Sequence, residues 1–439
     1  METQSTEHKL LDPEFEHTPV PQEYRKGIPS VAAVWFGFPM VLSSAVIGGV
    51  ITAMLGFKVG IVAMIVGNLL LALMVGVLSY QGGRTGVNFA LTAQRTFGRQ
   101  GYYVVSGLLS TVVIGWFALM IGLTGTTMHD SFGANLLWMT IIGGVLYVAT
   151  TFIGIKGLSF LGWIATPFYL LIGILAIVLA LKSGNTHILS YQSTAGAGAI
   201  SFGAAVTMVF AQFADSGTMT ADFTRWAKNG PSGLIAALFA FPLGNFLAEL
   251  VGAIVVASGV IPNATSNGGD IMRVLAGHNG FLTALSILFV FINLGTVSAH
   301  CLYNGAMGWS HMVKRRMRML TIVLGIIGII AAVSGIWGAF LNWLNLLGVI
   351  IPPIGTIIIF DQLILRRAFD SERVTNWRPL TFISWALASG IALVVNFFAP
   401  QLCVAVSGII AAAIFFTIGS LLNKGHASAG NQEPTAAAK

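Results

Sequence analysis

Three ionisable side chains, Asp215, Glu249 and His300, sit inside long apolar stretches. An ionisable group at mid-membrane costs roughly 2.5–3.5 kcal/mol on insertion scales, so it faces a cavity or a partner. An ionised aspartate only accepts hydrogen bonds, and Asp215 suits either a ligand edge carrying adjacent N–H donors or a cap on freed backbone amides. Glu249 fits a proton relay or a hydrogen bond to a neighbouring hydroxyl. His300 can carry a proton if it faces Asp215, although a lone histidine in such a stretch also serves as packing. Asp222, three residues before Arg225, reads as a structural or gating ion pair, and Asn245 as a packing hydrogen-bonder. Asn293, Thr296 and Ser298 add amide and hydroxyl oxygens just ahead of His300. No His-Glu-x-x-His run or pair of aspartates at fixed spacing occurs, so the clustered chemistry of an intramembrane enzyme is not indicated. The two cysteines, Cys301 and Cys403, lie far apart in apolar sequence and suggest neither a disulfide framework nor a thiolate metal site.

The elements that position these residues are membrane spans. Of 439 residues, 56% are hydrophobic and 8% charged, whereas soluble proteins are about a quarter charged. Apolar runs of about 20 residues, enough to cross a hydrocarbon core of ~30 Å, recur along the chain. Twelve are expected, near 30–56, 59–81, 101–124, 136–157, 159–181, 198–224, 232–259, 280–303, 319–338, 341–364, 379–399 and 401–422. With a cytoplasmic N-terminus, nineteen of the 22 basic residues fall on the inside and only Lys58, Lys182 and Arg273 outside. This bias places both termini in the cytoplasm and makes the net charge of +7 a record of topology rather than of a nucleic-acid partner. The chain thus reads as an all-α polytopic protein of the cytoplasmic membrane. It has a cytoplasmic N-terminal tail at 1–29 without a removable signal peptide, a twelve-helix domain at 30–422 and a disordered tail at 423–439.

Two spans are interrupted. Gly37-Phe38-Pro39 breaks the first, because proline removes a backbone donor and glycine relaxes the chain. Phe213-Ala214-Asp215-Ser216-Gly217 breaks the sixth at similar depth. Paired interruptions in the first span of each of two five-helix halves point to an inverted-repeat transporter with its site between the breaks; two kinked structural helices are the plainer alternative. A channel would favour filter loops or rings of like charge, which this sequence does not offer.

Several runs carry a family resemblance. Ile351-Pro352-Pro353-Ile354-Gly355, leading to Asp361 and Arg366-Arg367, resembles the end of helix 10 in the nucleobase:cation symporter-1 family, and within it the cytosine permeases. Pro19-Val20-Pro21, Arg25-Lys26-Gly27, Gly67-Asn68-Leu69-Leu70, Thr85-Gly86, Phe97-Gly98, Gly115-Trp116-Phe117 and Gly217-Thr218-Met219-Thr220-Ala221-Asp222-Phe223 match in order, so the resemblance covers about residues 19–422. It implies a LeuT-type fold of two inverted five-helix repeats, at about 30–181 and 198–364, plus two peripheral helices, working by alternating access.

The resemblance also implies a site. Trp116 in helix 3 and Phe213 at the helix 6 break match the two stacking walls for a flat heterocycle, and stacking is worth ~1–3 kcal/mol per base in nucleic-acid systems. Gln212 and Ser298 are expected beside them, and both aromatic residues could instead be packing. Asp215 replaces the small hydroxyl residue of the cytosine permeases; it suits guanine or a pyrimidine protonated on its ring nitrogen. A family sodium site implies the carbonyls of Gly37 and Met40 with Asn293 and Thr296, but its second hydroxyl position holds Val297. The coupling ion, H+ or Na+, is therefore expected to lean towards H+, with Asp215, Glu249 and His300 as groups to carry it, and no other cofactor. The solute expected is a nucleobase, cytosine or a purine; allantoin, hydantoins and thiamine-precursor pyrimidines are alternatives.

Overall fold

Lipid offers no partner to a backbone amide or carbonyl, so each apolar run must satisfy its own by becoming helix. The computed structural model describes residues 14–193, 195–196, 199–261, 264–267, 271–276, 278–365 and 375–429. Lys9, Arg366, Arg367, Arg373 and Lys439, used above to set topology, lie outside them. Among the described residues the chain is helical, apart from turns and one isolated bridge between Lys26 and Ala227.

The first run is two helices, α1 (Ile28–Gly37), with Pro29 in its first turn, and α2 (Leu42–Leu55), bent 52° from it. Next come α3 (Phe57–Thr85), α4 (Phe89–Phe97), α5 (Gly101–Phe132), α6 (Leu136–Ile153) and α7 (Ile155–Ser183). The sixth run is in three pieces, α8 (Phe202–Ala211), α9 (Ala214–Thr218) and α10 (Ala221–Thr224). In the seventh, α11 (Gly230–Phe239) and α12 (Phe246–Ala257) are joined by a π-helical turn, Ala240–Asn245. Short α13 (Ala264–Asn267) and α14 (Met272–Leu275) precede α15 (Gly280–Val313) and α16 (Met317–Val333). The chain finishes with α17 (Phe340–Ile350), α18 (Pro352–Ile359), α19 (Pro379–Phe398) and α20 (Val404–Ala429).

Among the described residues nine helices are long and apolar enough to cross a bilayer, or ten if the bent α1–α2 pair is one span. The other two expected spans are the broken α8–α10 run and the 17-residue α16; the expected twelve is not reached on length and composition alone. Of the tail expected at 423–439, residues 430–439 lie outside the described residues. α20 runs on to Ala429, since Asn423-Lys424 and the alanines beyond continue a helix with only Gly425 against it.

Packing follows the two-repeat pattern, in which helix k of one half matches helix k+5 of the other. α5 lies along α15 and α6 along α16. The pair α1 and α7 in the first half has its counterpart in α8 and α17 in the second. α2 crosses α12 on small residues: a side chain at Gly48 would overlap the Glu249 backbone, and one at Gly252 the Ala45 backbone. Such close approach lets dispersion hold helices together where lipid supplies no hydrophobic drive. The result is a rigid seat for the two breaks.

Candidate functional site

The break in the first span exposes backbone groups that need partners, and one side chain from α15 serves both sides of it. Asn293 accepts from the Leu42 amide at 2.8 Å and donates to the Met40 carbonyl at 2.7 Å. Ser44 then donates to the Pro39 carbonyl, 2.8 Å, and receives the Gln212 Nε2–H from the other break, 2.6 Å. A chain of hydrogen bonds therefore ties the two interruptions together.

Between them lies a cavity of about 10 Å³, lined by Phe38, Ser43, Trp116, Gln212, Phe213, Ser216, Val297 and Cys301. Trp116 and Phe213, expected from the sequence as walls, share it, as does Gln212. Asp215 is fully buried beside it: one carboxylate oxygen accepts from the Ser216 amide at 2.7 Å and the other has no hydrogen-bond partner. The Trp116 indole N–H stands within electrostatic reach of that carboxylate, yet it too makes no hydrogen bond, and neither does Gln212 Oε1. One acceptor, Gln212 Oε1, and one donor, the Trp116 N–H, are thus left unpaired on residues that line one aromatic-walled space, and a second acceptor, Asp215 Oδ2, is unpaired on the neighbour of the lining Ser216. Unpaired buried polar groups are costly, and a ligand with both donors and acceptors on its ring edge would satisfy them. Phe340 of α17 packs edge-on against Trp116, centroids 5.7 Å apart.

The residues expected to serve the cation are spread more widely. The Met40 carbonyl is engaged by Asn293, and Thr296 donates to the Ile292 carbonyl in its own helix, 2.9 Å. Gly37 packs against Gly162, while Ser298 is buried with its hydroxyl unpartnered. His300 makes no hydrogen bond to Asp215; its Nδ1 pairs with the Thr296 carbonyl at 2.6 Å, and its ring lies by Phe38 and Phe223, centroids 4.9 and 5.3 Å away. Glu249 stands apart from the cavity in a network linking α3 to the seventh run. Asn68 and Asn245 donate to its carboxylate at 2.7 and 3.0 Å, and Asn245 also donates to Asn68, 2.9 Å. Among the described residues no group of three His, Cys, Asp or Glu side chains could hold a metal ion.

The expected Asp222–Arg225 ion pair is not formed. Asp222 accepts from the Phe89 amide, 2.8 Å, whereas the Arg225 guanidinium turns to the carbonyls of Asp222, Phe15 and Glu14 at 3.1, 2.9 and 2.7 Å. Three residues along one helix bring backbone carbonyls within easier reach of a guanidinium than a carboxylate that caps another segment. Phe38, Ser43, Ser216 and Cys301 were not singled out from the sequence. Phe38 and Ser216 carried a signal, standing inside the Gly-Phe-Pro break and the Phe213–Gly217 break respectively.

Two broken helices tied across a buried aromatic cavity, in a molecule of two five-helix halves, define a multi-pass membrane transporter of the inverted-repeat class. Comparison with known proteins is more specific: the family described as permease for cytosine/purines, uracil, thiamine and allantoin matches residues 19–375. The chain belongs to this permease family, and it is a transport protein, not an enzyme. It is 28% identical over 385 residues to a cytosine permease from Escherichia coli (strain K12), covering 86% of this chain and 89% of the relative. To a hydantoin permease from Microbacterium maritypicum it is 25% identical over 419 residues, covering 88% and 84%. Among solved structures, Mhp1, a nucleobase-cation-symport-1 family transporter in a closed conformation with bromovinylhydantoin bound, superposes with a TM-score of 0.77 at 19% identity, covering 94% of this chain and 96% of that one. The expected LeuT-type fold is the observed one.

Proposed function

We propose that this protein is a symporter that imports a planar nucleobase, cytosine or a purine, by alternating access across the cytoplasmic membrane, with both termini inside. The observation that carries this reading is the meeting of Trp116 and Phe213 at one buried cavity whose unpaired groups, Gln212 Oε1 and the Trp116 N–H, are those a ring edge would pair, with the unpaired Asp215 Oδ2 on the residue next to the lining Ser216. The cavity is one water in size, so binding requires its walls to part. A hydantoin or related heterocycle is the second reading, favoured by the similarity to the hydantoin permease.

A panel of heterocycles in a thermal-shift assay identifies the solute, because stabilisation tracks concentration relative to affinity. Uptake of the best binder is then measured in proteoliposomes. Loss of a stacking face worth ~1–3 kcal/mol raises the half-saturation concentration of Trp116→Ala by roughly 5- to 150-fold while the protein stays folded. Normal uptake by that variant would sink the aromatic-wall reading.

For the coupling ion we favour the proton. Asp215 has a buried, unpaired carboxylate oxygen next to the cavity-lining Ser216, the Met40 carbonyl already holds the Asn293 amide, and Val297 offers no oxygen. An inward proton gradient without sodium is expected to drive accumulation, and Asp215→Asn to abolish it. Accumulation under a sodium gradient at equal pH, surviving a protonophore, would refute this.

A further inference from the structure

The stretch ahead of the first helix is polar, yet Glu14 is only 3% exposed. Its carboxylate accepts from the Tyr303 hydroxyl of α15 at 2.7 Å and from the Ile155 amide at the start of α7, 3.1 Å, with Arg318 of α16 at 4.0 Å. The backbone is held as firmly. Arg225, fully buried at the end of α10, donates to both the Glu14 and Phe15 carbonyls. Phe15 adopts φ 48°, uncommon for a residue with a side chain, and this turn brings successive carbonyls to one guanidinium. Asn88 donates to the Glu16 carbonyl, 2.7 Å, and the Glu16 carboxylate accepts from the Met317 amide, 3.2 Å. Five helical regions, α4, α7, α10, α15 and α16, are thus joined through Glu14, Phe15 and Glu16.

What lies behind the strap gives these ties a consequence. From the cavity wall, Phe38 contacts His300, His300 contacts Phe223, and Phe223 stacks on Tyr303 at 5.9 Å. The Tyr303 hydroxyl then meets Glu14. A continuous column of rings thus runs from the cavity wall to the strap, and Glu14 is its outer stop.

We propose that the Glu14–His17 strap is the latch that closes the solute pathway at the basic face, and that undocking of Glu14 from Tyr303 and Arg225 is the step that opens the cavity there. A buried guanidinium stripped of two carbonyl partners is costly, so the latch and the helices it joins release together rather than piecemeal. This goes beyond the solute assignment and does not depend on it.

The cavity carries its own reporter, Cys301. With Cys403→Ser as background, Cys301 is labelled by a membrane-impermeant thiosulfonate in right-side-out and inside-out vesicles of the full-length protein. Hydrogen bonds to charged groups shift equilibria by a factor of roughly ten or more, so Glu14→Ala and Tyr303→Phe should each raise the labelling rate by about that factor, from the basic face only. If Glu14→Ala fails to give monodisperse protein, Tyr303→Phe, which removes one hydroxyl, carries the test. An unchanged rate in a folded variant overturns the latch, as does an equal rise from both faces, which would mean general loosening. No solute is needed, so a wrong substrate assignment leaves this result readable.

Discussion

Asp215 divides its work between two oxygens. One caps the Ser216 amide where the helix is interrupted and the other is left unpaired near the Trp116 N–H, so the two roles open to it from sequence are compatible. Replacing it with serine keeps an acceptor for the amide and adds a donor. Asp215→Ser is therefore expected to move competition towards cytosine and away from guanine by about tenfold, the worth of one hydrogen bond to a charged group. Relative inhibition constants for the two bases, measured in proteoliposomes, check this; an unchanged ratio would reduce Asp215 to its capping role. Trp116 and Phe213 were legible because their neighbours in sequence form family motifs. Ser216 stood inside the second break and was marked by it, whereas Cys301 was not legible, since nothing around it in α15 marks it as the residue that faces the cavity.

At the scale of elements, the breaks were readable from glycine and proline, but their stitching was not. Asn293 was expected to lend a carbonyl to a cation; its side chain, on which that expectation says nothing, satisfies the Leu42 amide and the Met40 carbonyl on either side of the first break. Which backbone groups an amide side chain reaches depends on how α15 lies against α2, and one sequence does not contain that. Asn293→Ala strands both groups, each at a cost of about 1–3 kcal/mol. The detergent-solubilised melting temperature is expected to fall by a few degrees, whereas Asn293→Asp, which keeps the acceptor for Leu42, should fall less. Equal losses in the two variants would argue against the stitch. The number of long helices among the described residues stops short of the expected twelve for a related reason: the helix near 198–224 is cut into three, and α16 has 17 residues.

For the molecule as a whole, the strap links the two ends of the chain's logic, a polar N-terminus and a buried pathway. Burial pushes the Glu14 carboxyl above the usual carboxylate range, against the opposing pull of Tyr303, Arg225, the Ile155 amide and Arg318; further along the strap, His311 bonds to His17 and to the Glu16 carbonyl, and the Glu16 carboxylate accepts from the Met317 amide. A docked carboxyl that holds its proton more tightly than a free one favours docking below the free value, about 4.3, and loses that advantage as pH rises through the docked value. Labelling of Cys301 from the basic face should therefore slow as pH is lowered from neutrality towards the free value. The ratio to the Glu14→Ala rate cancels the thiol's own titration, and a flat ratio would remove Glu14 as the sensor. The size of the cavity reaches further still. A space of about 10 Å³ admits one water and no hydrated ion, with packed rings between it and the strap and Phe340 against Trp116. In electrical terms the molecule in this form is an insulator: idle copies conduct no current, so a cell can keep many of them in its membrane without discharging the gradient that drives uptake.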